Sequence, residues 1–175
     1  AQLEAHAFAN DLRNLITTDT SSVMAVGQGV FSYVNVGSAR TRGVEAVFGL
    51  RARRLVSGDA SYTLSDTLDR ERMRPLPGKP RHSGSVRLQL HHRGAGTTAQ
   101  LRIGVQGRQQ YYADADADGV DEVVGVAAYA TLDLRVAQEL FRGRMALFFG
   151  VDNLLDAGDA LYLPLVPRGF YGGFT

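Results

Sequence analysis

The stretch YYADADADGVDEV, residues 111–123, gathers side chains able to hold a metal ion. Asp114, Asp116 and Asp118 alternate ahead of Gly119, the opening pattern of an EF-hand loop, where alternate carboxylates meet a hard cation and the glycine permits a sharp turn. The position that should carry the bidentate Glu is Gly125, and no flanking helices are expected, so this is not read as an EF-hand. Two readings stay open. One is a different calcium site, completed by Asp121 or Glu122 or by acids from a neighbouring loop; the other is a solvated loop tip. Carboxylates this close repel one another, so a cation or cationic ligand would steady them.

Other chemistry finds little support. His6, His82, His91 and His92 lack metal-like spacing, and the adjacent pair His91 and His92 would point to opposite faces of a strand. Ser57-Gly58-Asp59 and Ser65-Asp66 have no paired base in a recognisable motif. No glycine-rich phosphate loop follows a strand and opens a helix. Cysteine is absent, which excludes disulfides and thiolate metal sites. With 19 basic and 18 acidic residues the net charge is +1, so no field points to nucleic acid. An enzyme is not expected.

The elements that must carry these residues are strands. In SVRLQL (85–90), Val86, Leu88 and Leu90 oppose Arg87 and Gln89, and in TAQLRIGVQ (98–106), Ala99, Leu101, Ile103 and Val105 oppose Gln100, Arg102 and Gln106. TLDLRVAQEL (131–140) sets Leu132, Leu134 and Val136 against Asp133 and Arg135, and VEAVFGLRA (44–52) sets Val44, Ala46, Phe48 and Leu50 against Glu45 and Arg51. This spacing of two is that of strands, not helices. The pattern predicts eight strands, at 1–17, 29–52, 54–67, 80–92, 97–112, 127–141, 144–152 and 167–174. Short connections at 53–55, 92–97 and 142–144 alternate with long ones at 68–82, about 111–125 and 153–169.

One apolar and one polar face, with short turns at one end and long loops at the other, is the pattern of an all-β, antiparallel transmembrane β-barrel segment. Its apolar face would meet lipid and its polar face the lumen. A soluble β-sandwich is the main competitor, since it also alternates apolar and polar residues; in that version the acidic loop would serve calcium-dependent binding. A self-contained eight-stranded structural or adhesive barrel is a third possibility. Phe31, Tyr33, Tyr111, Tyr112 and Tyr129 fall near the long-loop ends, where interfacial rings are expected. Glu45, Arg51, Arg87, Arg102, Asp133 and Arg135 fall on polar faces, and the plainer reading is an ordinary salt-bridged luminal wall rather than a transport path. No run of about 18 apolar residues is available for a helical span. The opening AQLEAHAFAN shows no signal-peptide pattern, as in a cytoplasmic protein, a mature chain or an internal piece.

Three segments carry a resemblance. YVNVGSARTRGVEAVF (33–48), with Asn35, Gly43 and Glu45, resembles a late strand of TonB-dependent outer-membrane receptors. LPGKPRHSGSVRLQL (76–90), with Pro77, Pro80 and His82, is similar to a Leu-Pro-x-x-Pro-x-His segment of the same family. YATLDLRVAQEL (129–140) and MALFFGVDNLLDAGDALY (145–162) resemble its closing hairpin, with the Asn-Leu-x-Asp element at Asn153, Leu154 and Asp156. In PRGFYGGFT, Arg168 and Gly169 invert the family's usual Gly-Arg order, and Phe174 is the candidate terminal aromatic.

The resemblance implies that residues 1–175 are the C-terminal part, about eight strands, of a barrel of about 22 strands filled by an N-terminal plug. It further implies import of a scarce large nutrient, such as a ferric siderophore or cobalamin, driven by the inner-membrane TonB complex through the plug. The expected location is the outer membrane of a Gram-negative bacterium. The implied partners are the rest of the barrel and the plug, in the same or another chain, with outer-membrane lipid and the imported ligand. Asn153 and Asp156 are expected to shape the turn after the seventh strand through side-chain to backbone bonds.

Overall fold

The computed structural model describes residues 1–19, 32–52, 55–113, 120–158 and 163–175. Alternating residues along the chain produce ten strands there: β1 (Gln2–Asp19), β2 (Ser32–Ala52), β3 (Val56–Asp69), β4 (His82–His92), β5 (Thr97–Gln106), β6 (Gln109–Ala113), β7 (Glu122–Val126), β8 (Tyr129–Leu140), β9 (Met145–Asp152) and β10 (Gly169–Phe174). Eight of them make one antiparallel sheet in the order β1-β2-β3-β4-β5-β8-β9-β10, and β6 pairs with β7 as a separate hairpin. Each of the eight overlaps one predicted strand. The 97–112 strand is shorter than expected: it stops at Gln106, where Gly107 turns away and donates its N–H to the carbonyl of His82 at 2.7 Å.

The register shows the two faces directly. Leu3 lies opposite Phe48, Phe48 opposite Ala60, Ala60 opposite Val86, Val86 opposite Ile103, and Ile103 opposite Leu132. One step along, the other face reads Gln2, Gly49, Asp59, Arg87, Arg102, Asp133 across the same six strands. An apolar row of this kind is stabilised only if something removes it from water. Leu3, Phe48, Leu90, Phe149 and Phe170 are exposed, and the buried apolar residues, Ala39, Leu76, Tyr112, Ala113 and Val151, lie away from those rows or at their margin. Among the described residues no second sheet covers the apolar face, so the sandwich alternative has nothing to pack with. Among the described residues β1 and β10 stand at opposite ends of the strand order and do not pair, whereas a self-contained eight-stranded barrel requires that closure.

The interfacial aromatic belt is not where the sequence suggested. Tyr111 and Tyr112 belong to the β6–β7 hairpin, and Tyr33 and Tyr129 share the parity of Glu45 and Asp133, on the polar face. Phe31 lies outside the described residues. On the apolar face near the long loops, the aromatic pair is instead Tyr62 with His82, whose Nδ1 lies 2.7 Å from the tyrosine hydroxyl.

Candidate functional site

Two neighbouring regions carry the polar chemistry: the polar face of the sheet and the loop cluster above it. On the face, the parity of β2, β4, β5 and β8 brings Glu45, Arg51, Arg87, Arg102, Asp133 and Arg135 to one side. Arg87 and Arg102 are directly opposite one another, an arrangement that repels. Each is answered by a carboxylate on its far side, Asp59 at 3.8 Å from Arg87 and Asp133 at 3.8 Å from Arg102. The result is a ladder across four strands with signs minus, plus, plus, minus. Both pairs are exposed and so contribute little stability; what they supply is a patterned, hydrated wall.

Two open grooves run along this wall. One of about 370 Å³ is lined by Gln100, Arg102, Asp133, Arg135, Asp152 and Tyr171, and one of about 490 Å³ by Arg51, Ser57, Asp59 and Arg87. Tyr171 reaches the first because it lies flat over Gly150, where a Cβ would fall 2.3 Å from the ring, while across the same strand pair the Phe148 ring covers Gly173. Arg135 caps Phe148 with its guanidinium 5.1 Å from the ring centre. Sequence reasoning assigns no place on this wall to Asp59, Asp152 or Tyr171. Parity from Arg51 or Asp133 would have placed Asp59 and Asp152, but Tyr171 depends on the two glycines beneath the rings.

Above the sheet, the segment after β3 and the β6–β7 hairpin hold each other. Arg74 is the clasp: its guanidinium sits 3.8 Å from the Tyr112 ring centre and donates to Asp121 Oδ2 at 2.6 Å. The Tyr112 hydroxyl donates to the Pro75 carbonyl at 3.0 Å, and the Gly78 N–H to the Gln110 carbonyl at 2.9 Å. Pro77 and Gly78 form a turn in which Gly78 takes φ of 66°, and the Tyr111 ring lies against it. Burial pushes the Tyr112 phenol above its ordinary value near 10, with Arg74 pulling the other way and Asp69 adding to the rise. Replacing Arg74 by Met removes both contacts while keeping the stem. The expected result is roughly 2 kcal/mol less protection of the hairpin amides in hydrogen exchange, with strand amides unchanged. Equal protection in both proteins would show that the clasp holds nothing.

Asp114, Asp116 and Asp118 lie outside the described residues. Asp121 is engaged by Arg74, and Glu122 opens β7 opposite Ala113. Among the described residues no group of three His, Asp or Glu side chains converges as a metal site. A cation completed by Asp121 would have to compete with the Arg74 guanidinium for its carboxylate.

The remaining motif residues sit at strand tops and turns. Asn35 pairs in register with Ile16, and Gly43 with Phe8 and Ser65. The Pro80 carbonyl accepts from Ser65 Oγ at 3.3 Å. Asn153 is only 6% exposed and ties the long loop after β9: its Nδ2 donates to the carbonyls of Ala157 and Val166, and its Oδ1 accepts from Ala157 N. Asp156 Oδ1 accepts from Arg168 N at 3.0 Å. His91 and His92 project to opposite faces, one toward Thr98 Oγ1 at 3.0 Å and the other toward the Ala95 N–H.

An antiparallel sheet whose apolar face is uncovered among the described residues, with a charged opposite face and alternating short and long connections, has the pattern of the wall of a membrane-spanning β-barrel. Residues 1–154 match the family described as "TonB dependent receptor-like, beta-barrel". This chain belongs to that family, whose members are outer-membrane receptors and not enzymes. Among solved structures it is similar to the siderophore receptor PirA from Acinetobacter baumannii, at 17% identity and a TM-score of 0.72, covering 98% of this chain and 29% of that one. It is also similar to a Q482A mutant of the ferric enterobactin receptor PfeA from Pseudomonas aeruginosa, at 21% identity, a TM-score of 0.66 and coverage of 98% and 28%. The ferripyoverdine receptor of the Pseudomonas aeruginosa outer membrane matches at 15% identity, a TM-score of 0.66 and coverage of 98% and 24%. The chain thus spans about a quarter of the length of these structures. A comparison with curated proteins returns no match.

Proposed function

We propose that residues 1–175 form the C-terminal wall of an outer-membrane active transporter that imports a scarce large nutrient, such as a ferric siderophore or cobalamin, with energy delivered by the TonB complex. The observation that carries this reading is the two-faced sheet: apolar rows with no protein cover on one side, and the Asp59–Arg87–Arg102–Asp133 ladder on the other. In this reading the remaining strands complete the barrel, in the same or another chain. A plug fills the lumen against the ladder and its grooves, and contacts the TonB complex. The clasped loops built on Arg74 and Asp121 stand at the mouth, at the cell exterior, and the acidic stretch at Asp114, Asp116 and Asp118 takes part in ligand capture, with calcium as its candidate stabiliser.

The test is uptake of a panel of labelled ferric siderophores and cobalamin by cells with and without the native polypeptide, in backgrounds with and without TonB. The expected outcome is a drop of tenfold or more for one ligand on removal of either component. Uptake that persists without TonB would overturn the active-transport reading. In the same assay, Asn at Asp114, Asp116 and Asp118 together is expected to weaken capture several-fold; affinity unchanged with and without calcium removes the loop from the binding surface.

A further inference from the structure

The β6–β7 hairpin is a two-stranded ribbon whose two edges differ. In an antiparallel pair, successive residues alternate between turning their N–H and C=O toward the partner strand and away from it. The Gln110 carbonyl accepts from the Gly78 N–H, on the side away from β7. Gln110 and Tyr112 therefore turn outward on β6, and their register partners Gly125 and Val123 turn outward on β7. The segment at Gly78 occupies the β6 edge, and the Arg74 clasp and the bond from Tyr112 to the Pro75 carbonyl fix the hairpin on that side. The β7 edge is open: among the described residues no backbone group pairs with Val123 or Gly125 across it.

Open edges are ordinarily guarded by proline, lysine or a bulge. β7, with the sequence EVVGV, carries neither residue, and its register with β6 runs without a bulge. Val123 is 62% exposed, and at Gly125 a Cβ would meet nothing within 4 Å. The two positions share a face, so an incoming strand meets a valine beside open space. That surface suits a β-branched residue opposite Val123 and an aromatic ring resting on Gly125. Glu122 is exposed at the start of the strand and makes no ion pair among the described residues, so it favours a basic residue opposite it.

We infer that the β7 edge binds an extended polypeptide segment by strand addition, antiparallel to β7. Its backbone pairs with Val123 and Gly125, its ring covers Gly125 and its basic side chain meets Glu122. Main-chain bonds supply the affinity of such a site and alternate side chains its selectivity. Because the hairpin is already held at Arg74, little ordering is needed on binding. The ligand is a polypeptide and not the imported nutrient, so the inference goes beyond the transport reading: binding at this edge requires neither TonB nor uptake.

The probe is fluorescein-labelled Thr-Tyr-Thr-Val-Lys-amide, titrated by anisotropy against the native polypeptide in nanodiscs of neutral lipid. Aligned antiparallel, its Tyr meets Gly125, its Val meets Val123 and its Lys meets Glu122. N-methylation of the Tyr and Val amides, which face β7, is expected to lower affinity about tenfold or more; N-methylation of the second Thr and the Lys amides, which face away, is expected to change it less than about twofold. Gly125→Pro removes an outward N–H without breaking the hairpin ladder and is expected to lower affinity about tenfold. Glu122→Gln is expected to lower it about threefold at low salt and not at high salt. Equal affinities for the two N-methylated peptides, or no saturable binding of the unmodified one, overturns the inference. So does slow hydrogen exchange at the Val123 and Gly125 amides before peptide is added, which would show the edge already covered by another part of the polypeptide or by a second copy. Heat-modifiable gel mobility, read on every sample, separates a misfolded variant from a lost site, and the N-methylated peptides test the unsubstituted protein even where Gly125→Pro does not fold. Uptake lost with peptide binding intact removes only the transport reading; peptide binding lost with uptake intact removes only this one.

Discussion

Asn153→Ala is expected to cost the folded receptor about 3 kcal/mol, read as a lower urea midpoint in lipid vesicles. Three side-chain hydrogen bonds disappear at once, to Ala157 O, Val166 O and from Ala157 N. All three partners are backbone groups of the loop after β9, and a polar group shielded from water and stripped of its partner costs about 1–3 kcal/mol. Asn153 also sits at φ of 49°, a left-handed conformation that asparagine tolerates and alanine does not. Two variants separate the causes. Asn153→Gly relieves the backbone and keeps only the loss of bonds, so it should recover roughly 1 kcal/mol. Asp133→Asn touches the neighbouring link, in which the Asn153 N–H donates to Asp133 Oδ1 at 2.9 Å, and should cost less. If Asn153→Ala left both the midpoint and the protease resistance of the segment from Leu154 to Arg168 unchanged, the staple would have no energetic content.

Gly43→Ala is the second large effect, expected at about 3 kcal/mol or loss of the heat-modifiable band altogether. A Cβ at this position would lie 2.2 Å from the Leu64 carbonyl oxygen and 2.7 Å from the tip of the Phe8 ring. The ring could swing aside, but the carbonyl is part of the β2–β3 ladder, and pushing it away separates the strands. Gly49 supplies the control within the same strand and on the same face: a Cβ there meets nothing within 4 Å. Gly49→Ala should therefore stay within about 0.5 kcal/mol of the parent. Combining Gly43→Ala with Phe8→Ala would recover only the part due to the ring, and the double-mutant cycle measures it. Equal stabilities for the two glycine variants would show that close approach at Gly43 is not what keeps it a glycine.

Much of this architecture was legible because strand parity is a local property. The alternation in SVRLQL or TLDLRVAQEL needs only its own neighbours to be read, and it places Arg87 and Asp133 on a common face before any pairing is known. Pairing is not local. That Arg87 stands opposite Arg102, and that the conflict is relieved by Asp59 and Asp133, depends on register across four strands. The hairpin at Gln109–Val126 was missed for a related reason. Gln109 to Ala113 continue the strand-like composition of β5 without interruption, and only the turn at Gly107, locked to His82, separates them. Arg74 carried no signal at all in the sequence, since its partners Tyr112 and Asp121 are distant along the chain. The acidic run drew attention by its composition, while the arginine that engages its flank lay in a loop that read only as polar.

The strand order has a kinetic side. From β1 to β5, and again from β8 to β10, every strand pairs with its predecessor in the chain, so each addition to the growing sheet closes only the loop just synthesised. Such closure carries a small entropic penalty that grows slowly with loop length, and topologies of this kind assemble quickly for their size. The exception is the step from β5 to β8, which spans everything between Gln106 and Tyr129. There the β6–β7 hairpin brings Gln109 opposite Val126, so that once it has formed, the ends of the span are already neighbours and β8 meets β5 as though the insertion were a short turn.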